Sequence, residues 1–200
     1  MEKFKSNKKL RLTYKNLRDK VPSDLHKVKS KDISNNVLAL LESDFKGANI
    51  FLCYYPFGSE VDLILLYEKL LEIGKQLYFP ISDVKTHELE FYQIHDLQKD
   101  FQLGAYNIFE PSSSFKRFEY NEHDDIICIT PGLIFDRNFN RIGYGAGFYD
   151  RFFYDKAGII KIAPCFEFQI AASVPNQEHD AKVNIIVTEN DILKGDMLWH

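Results

Sequence analysis

Residues 141 to 151 read Arg-Ile-Gly-Tyr-Gly-Ala-Gly-Phe-Tyr-Asp-Arg, and three of the chain's ten glycines fall within five positions of this run. Gly143, Gly145 and Gly147 alternate with Tyr144 and Ala146. Alternate glycines let backbone N–H groups approach a ligand with no Cβ in the way, and such amides can cradle phosphate. A helix-compatible apolar stretch with Phe148, Tyr149, Phe152 and Phe153 follows at once. The loop is therefore expected to open a helix, whose first turn adds unpaired amides and a positive dipole end. Arg141 and Arg151 supply fixed positive charge at the two ends, and Asp150 offers a ligand for a divalent cation. The combination suits a polyphosphate bound with Mg²⁺. The rival reading is a plain strand-to-helix turn.

The usual nucleotide signatures do not fit. The run begins like the dinucleotide fingerprint, but Phe148 stands where its third glycine belongs. No Gly-x-x-x-x-Gly-Lys-Ser/Thr occurs. No convincing Ser-His-Asp or Cys-His set is present either. Cys53, Cys128 and Cys165 lie far apart in apolar runs without a Cys-x-x-Cys, so they read as buried thiols in a reducing cytosol.

Two hundred residues with 45% hydrophobic content can bury a substantial core, and one domain is the default. The N-terminus lacks a signal-peptide core, and no apolar run approaches the ~20 residues of a membrane span. A cytoplasmic protein without a membrane partner is expected, with a monomer as the default. The net charge of −4 hides an asymmetry: residues 1–31 hold eleven Lys/Arg against three Asp/Glu. A basic first segment suits an anionic ligand, and no nucleic-acid motif accompanies it.

Leu10, Tyr14, Leu17 and Val21 recur at helical spacing up to Pro22, and Ile33, Val37, Leu40, Leu41 and Phe45 form a second amphipathic face. Residues 1–45 thus predict a basic helical segment packed on the rest. Ile50–Tyr55 reads as a buried strand, Ser59–Asp62 as a capping box for a helix running to about Glu72, and Gln76–Ile81 as the next strand. Glu88–Ile94, Asp125–Thr130, Ile159–Pro164 and Ile185–Thr188 complete the expected strands, with residues 96–123 mostly loop. This alternation predicts an α/β fold, a mainly parallel sheet with helices on both faces. The glycine loop should then follow the strand ending at Thr130, at the sheet's carboxyl edge where ligands bind.

The longer context resembles a known family. Thr130-Pro-Gly-Leu-Ile-Phe-Asp136 and Asn140–Arg151 are similar to the signature of the 5-formyltetrahydrofolate cyclo-ligases, also called 5,10-methenyltetrahydrofolate synthetases. Leu10-Arg11, Ser59-Glu-Val-Asp62, Gly74-Lys75, Leu77-Tyr-Phe-Pro80, Asn107-Ile-Phe-Glu-Pro111, Val174-Pro175 and Glu178-His-Asp180 resemble further elements of that family, in its order. The resemblance implies ATP-dependent closure of 5-formyltetrahydrofolate to 5,10-methenyltetrahydrofolate, with ADP and phosphate released. Phosphorylating the formyl oxygen makes it a leaving group, and N10 then attacks the activated carbon. Such chemistry needs positioning and charge neutralisation, and no side-chain nucleophile.

By the same resemblance, ATP meets Arg11, Arg141 and the loop residues Gly143, Tyr144, Gly145, Ala146, Gly147, Phe148 and Tyr149. Asp150 and Asp180 hold Mg²⁺, and Glu60 with Phe148 and Tyr149 meets the folate. Each has a plainer role open to it: a solvated helix face for Arg11, a helix-start acid for Asp150 and Glu60, aromatic packing for Phe148 and Tyr149. His179 reads as structural. Two positions depart from the family. Asn7 stands where it has Lys, with Lys8 or Lys9 as a shifted phosphate contact, and Tyr144 stands where many relatives have Arg. Asn184, where an Asp is common, reads as peripheral. A non-catalytic nucleotide- or folate-binding protein of the same fold, or another α/β enzyme on a phosphorylated metabolite, are the alternatives.

Overall fold

The computed structural model describes residues 2–195 apart from 105–106 and 178–179. Its chain order is α1 (Glu2–Asp19), α2 (Ser23–Asp44), β1 (Ile50–Leu52), α3 (Ile64–Glu72), β2 (Gln76–Asp83), β3 (Glu88–Ile94), β4 (Phe101–Leu103), β5 (Phe109–Pro111), β6 (Ile126–Ile129), β7 (Ile134–Asp136), β8 (Arg141–Ile142), α4 (Phe148–Phe153), β9 (Ile160–Pro164), β10 (Ile170–Ala171), β11 (Ile185–Val187) and β12 (Ile192–Lys194).

Seven strands form the main sheet in the order β12-β11-β9-β6-β1-β2-β3. The five central strands pair in parallel, and β12 and β3 close the edges antiparallel. Alternation along the strands feeds two apolar layers. Phe51, Leu77, Phe79, Ile127, Ile129, Ile162, Ile185 and Val187 point to one face, against Ile33, Val37, Leu40 and Leu41 of α2 and Leu66, Tyr67 and Leu70 of α3. Leu52, Tyr78, Phe91, Ile126 and Cys128 point to the other, against Phe152 and Phe153 of α4. The expected α/β class, with helices on both faces of a mainly parallel sheet, is the observed one. The three cysteines are buried and unbridged. Burial pushes the Cys128 thiol up to about 12, so it is chemically quiet at neutral pH. Among the described residues no helix is long and apolar enough to cross a membrane.

Several local readings change. Helix α2 begins ten residues before its apolar face, because residues 23–32 are mostly polar and leave Leu25 and Val28 exposed. Ser59–Asp62 is not a capping box: α3 starts at Ile64, whose N–H is accepted by Asp62 Oδ1 at 3.1 Å. The stretch 96–123 carries a small hairpin of β4 and β5, too short to show a period. The glycine loop does not follow β6 directly. A second sheet, β10-β7-β8, intervenes, and α1 lays Leu10 and Tyr14 on it. The first helix was expected to bury Leu17; it is exposed, and Arg18 beside it is buried.

Candidate active site

The site lies where the carboxyl ends of β1, β6 and β9 meet the small sheet. Tyr54 follows β1, Pro131 and Gly132 follow β6, and Pro164 ends β9. With Arg18, Glu60 and Gln169 they line a narrow cleft with no room for a water molecule. Carboxyl ends of parallel strands are where open α/β sheets bind ligands. A larger cavity of about 710 Å³ lies at the opposite, amino ends of these strands, between Asn49, Gln76, Lys116 and Asp125. It touches no residue of the glycine loop.

The turn leading into the loop is fixed from within. The buried Gln169 amide donates to the carbonyls of Gly132 and Leu133 at 3.2 and 3.0 Å, and its oxygen accepts the Phe166 N–H. Asp136, fully buried, accepts the N–H groups of Asn138, Asn140 and Val174 and the Asn140 side-chain amide. A buried carboxylate needs such a set of donors, and here they tie β7 to β8 and to the Val174 segment.

Two of the loop glycines adopt backbone that side chains resist. Gly145 has φ +107° and Gly147 has φ +72°. The space above them is occupied by arginines. A methyl group on Gly145 would lie 3.1 Å from the Arg11 guanidinium carbon, and one on Gly147 would lie 3.1 Å from Arg151. Arg11 Nε donates to the Gly143 carbonyl at 3.0 Å. Arg151 donates to the carbonyls of His87 and Ala146. The loop is thus a partly exposed backbone strip edged by two guanidinium groups.

Arg141 behaves differently. Its side chain is only 4% exposed and pairs with Asp150 at 2.6 Å, which is itself 29% exposed. Arg141 also lies over the Tyr149 ring, 5.8 Å from its centre, and its Nε has no partner. Asp150 Oδ1 takes the Arg141 bond and the Ala181 N–H at 3.2 Å, so among the described residues both bonds fall on one oxygen and none on Oδ2. Asp180 precedes Ala181 on the segment held against Asp150, and its own Oδ2 accepts the Gln177 N–H.

On the other side of the loop, Tyr144 turns its hydroxyl inward while its ring stays half exposed. The hydroxyl donates to Glu60 Oε1 at 2.6 Å and accepts from Arg18 at 2.5 Å. Glu60 Oε2 accepts the Phe57 N–H at 3.0 Å. Arg18 also reaches Ser59 Oγ at 3.1 Å and lies 5.7 Å from the Tyr144 ring centre. Burial holds the Glu60 carboxyl above its usual range, against the Tyr144 bond and the Arg18 charge, which pull it down. Burial and the Glu60 charge together push the Tyr144 phenol up, so it remains a donor.

The sequence pattern that defines the 5-formyltetrahydrofolate cyclo-ligases matches residues 3–189. The chain belongs to that family. A probable 5-formyltetrahydrofolate cyclo-ligase of Schizosaccharomyces pombe is 24% identical over 148 residues, covering 68% of this chain and 72% of its own. The Saccharomyces cerevisiae cyclo-ligase is 25% identical, covering 89% and 92%. Among solved structures, 5,10-methenyltetrahydrofolate synthetase of Aquifex aeolicus superposes with a TM-score of 0.80 at 27% identity, over 97% of this chain and 96% of that one.

Within this cyclo-ligase fold, the structure gathers Arg11, Arg141, Gly143, Gly145, Gly147 and Asp150 around one loop. Glu60 joins them across 84 residues of sequence through Tyr144. Tyr149 sits between the loop and the core beside Arg141, whereas Phe148 turns away to His87, 5.5 Å between ring centres. Lys8 and Lys9 are exposed, and the Asn7 side-chain oxygen is buried without a partner. His179 falls outside the described residues. Asn184 accepts the Lys161 N–H at 2.8 Å at the sheet's far side, away from the loop. Sequence reasoning missed Arg18 and Gln169. Arg18 carried one usable signal, its spacing of seven from Arg11, which puts both on one helix face.

Proposed function

We propose that this cyclo-ligase joins ATP and 5-formyltetrahydrofolate across the glycine loop, with the phosphates on the loop's outer side and the pterin at Glu60. The arrangement of Arg11 over Gly145 is the observation that carries this reading, because it sets a cation directly against backbone whose glycines carry no side chain of their own. Arg11 and Arg151 neutralise the phosphates. Arg141 acts mainly through Asp150, which it holds in place. Lys8 is within the same basic helix and available to a longer nucleotide contact. Glu60 accepts from the N–H edge of the pterin, with Tyr149 packed beside it.

Asp150 Oδ2, with Asp180 on the adjoining segment, fits Mg²⁺. That ion typically takes one or two carboxylates and completes its shell with phosphate oxygens and water. Among the described residues no group of three or more acidic, His or Cys side chains gathers, which that mode does not require. Bound there, Mg²⁺ would neutralise charge on the phosphates. The protein's part is to align the formyl oxygen with the γ-phosphorus. ADP leaves as the oxygen–phosphorus bond forms. N10 then attacks the formyl carbon, phosphate departs with the oxygen, and the N10 proton passes to solvent. No side chain needs to become covalently bound.

The direct test mixes purified protein with ATP, Mg²⁺ and 5-formyltetrahydrofolate and follows methenyl absorbance. Product only with all three is expected; product without ATP, or none at all, overturns the reading. A pH series tests Glu60. Its raised pKa means protonation begins above the usual carboxylate range, so the folate KM should rise as pH falls through that region, approaching tenfold per pH unit below it. Stability runs the other way. A group whose folded pKa is raised favours the native state below its unfolded pKa, and that contribution fades as pH rises through the folded value. A folate KM flat down to the ordinary carboxylate range would remove Glu60 from folate binding.

Gly145→Ala gives a smaller effect. Sparsely populated backbone costs on the order of 1–3 kcal/mol, and the methyl group would press on Arg11. Calorimetry should show ATP affinity reduced severalfold with folate affinity kept; equal losses of both would mean the loop has only collapsed.

A further inference from the structure

The Tyr144 hydroxyl holds Glu60, the carboxylate that the proposed function gives to the pterin. Each Glu60 oxygen already carries one protein donor, the Phe57 N–H on Oε2 and Tyr144 on Oε1, and the carboxylate is buried, so an incoming donor reaches Oε1 when the Tyr144 side chain moves aside. Tyr144 holds it at 2.6 Å and is itself held by Arg18 at 2.5 Å. Arg18 and Glu60 both line the narrow cleft, so the phenol ties two of its walls together. The cleft has no room even for a water molecule, whereas small-molecule sites run to roughly 300–1,000 Å³, so it must widen to admit a pterin. Tyr144 stands between Gly143 and Gly145, the latter at φ +107°, in a loop edged by the Arg11 and Arg151 side chains. Its ring is half exposed, so it gives up less burial on leaving than a core aromatic ring would.

We propose that Tyr144 is a positioning residue that closes the folate cleft on Glu60 and must yield to the substrate, so that folate entry frees the phosphate loop. The inference rests on the reading of Glu60 as the folate carboxylate. Folate binding then exchanges one hydrogen bond on Oε1 for another, and the released tyrosine leaves the glycine strip able to settle on the nucleotide. The two substrates are thereby coupled: each should bind more tightly in the other's presence, by equal factors.

The test is Tyr144→Phe, which deletes one oxygen and keeps the ring. Calorimetry with 5-formyltetrahydrofolate, without nucleotide, should show affinity raised about tenfold, because the competitor for Oε1 is gone. A non-hydrolysable ATP analogue titrated with and without folate should show coupling in the parent protein and little in the variant. In a Glu60→Gln background, Tyr144→Phe should no longer tighten folate. Unchanged or weaker folate binding by the variant, with coupling intact, overturns the proposal. A purely structural tyrosine predicts a lower thermal midpoint and no gain in affinity. If Glu60→Gln alone leaves folate binding by the parent protein unaltered, the assignment of Glu60 fails, and Tyr144 with it; if Glu60→Gln weakens folate but Tyr144→Phe does not tighten it, only the inference about Tyr144 fails.

Discussion

The Asp150→Asn variant is expected to lose roughly ten- to a hundredfold in activity at low Mg²⁺ and to recover part of it when Mg²⁺ is raised. The geometry makes this more than a guess about an acid at a helix start. Asp150 Oδ1 is committed to Arg141 and to the Ala181 N–H, while Oδ2 has no partner among the described residues. Asparagine keeps an oxygen for the first pair and puts an amide where a cation would need an oxygen. Some stability should go too, since the buried Arg141 guanidinium loses the charge of its partner. Exchanging a charged for a neutral acceptor costs about 1 kcal/mol, which at this chain length lowers the thermal midpoint by roughly 2–4 °C. The two effects separate in one titration. A variant that is folded, somewhat less stable and equally active at every Mg²⁺ concentration would leave Asp150 as the ion-pair partner of Arg141 and nothing else.

The legible and illegible parts of this site differ in a physical way. Gly143, Gly145 and Gly147 were legible because alternation of glycine has few purposes, and two of the three do take positive φ. The sheet was legible because β1, β2 and β6 are continuous apolar runs that only burial on both faces explains. The small sheet of β7, β8 and β10 was not: strands of two or three residues have no period, so the loop was expected one element too early. Nor could spacing show that Arg18 is buried and Leu17 exposed. The two sit one residue apart on a helix, and Arg18 is drawn inward by polar partners, Ser59 and Tyr144, that lie 41 and 126 residues away. The same long-range pairing changes the meaning of Tyr144. Read along the sequence, it subtracts a charge from the phosphate loop; in the fold its hydroxyl belongs to the carboxylate across the cleft.

The role of Arg141 shifts for a related reason. A flanking arginine reads as a phosphate contact when only the sequence is considered. Nearly full burial, a 2.6 Å pair with Asp150 and an aromatic ring beneath it make it an anchor instead. The cations that edge the glycines are the partly buried Arg11, from the first helix, and the exposed Arg151. On the proposed reading, the charge offered to phosphate comes partly from an element more than a hundred residues away from the loop, the basic first helix packed on the small sheet.

Glu60→Gln should raise the folate KM by roughly ten- to a hundredfold and leave the ATP KM nearly unchanged. A hydrogen bond to a charged group is worth about 1.5–3 kcal/mol, and lost ground-state binding appears in KM. Sequence left open a simpler role, an acid favouring the first turn of a helix. The structure closes that option, because α3 begins at Ile64 and Glu60 lies outside it. What remains as a rival is local: Glu60 Oε2 accepts the Phe57 N–H, and the Glu60 N–H returns to the Phe57 carbonyl at 3.2 Å, so the residue also closes a turn. A turn-closing role predicts a lower thermal midpoint with kinetics spared. A folate role predicts the KM split, and also that the acid limb of the folate pH profile disappears, since glutamine does not titrate. Steady-state kinetics with each substrate varied in turn, at neutral pH and again one to two pH units lower, decides between them: an unchanged folate KM with the acid limb still present would place the pterin elsewhere in the cleft.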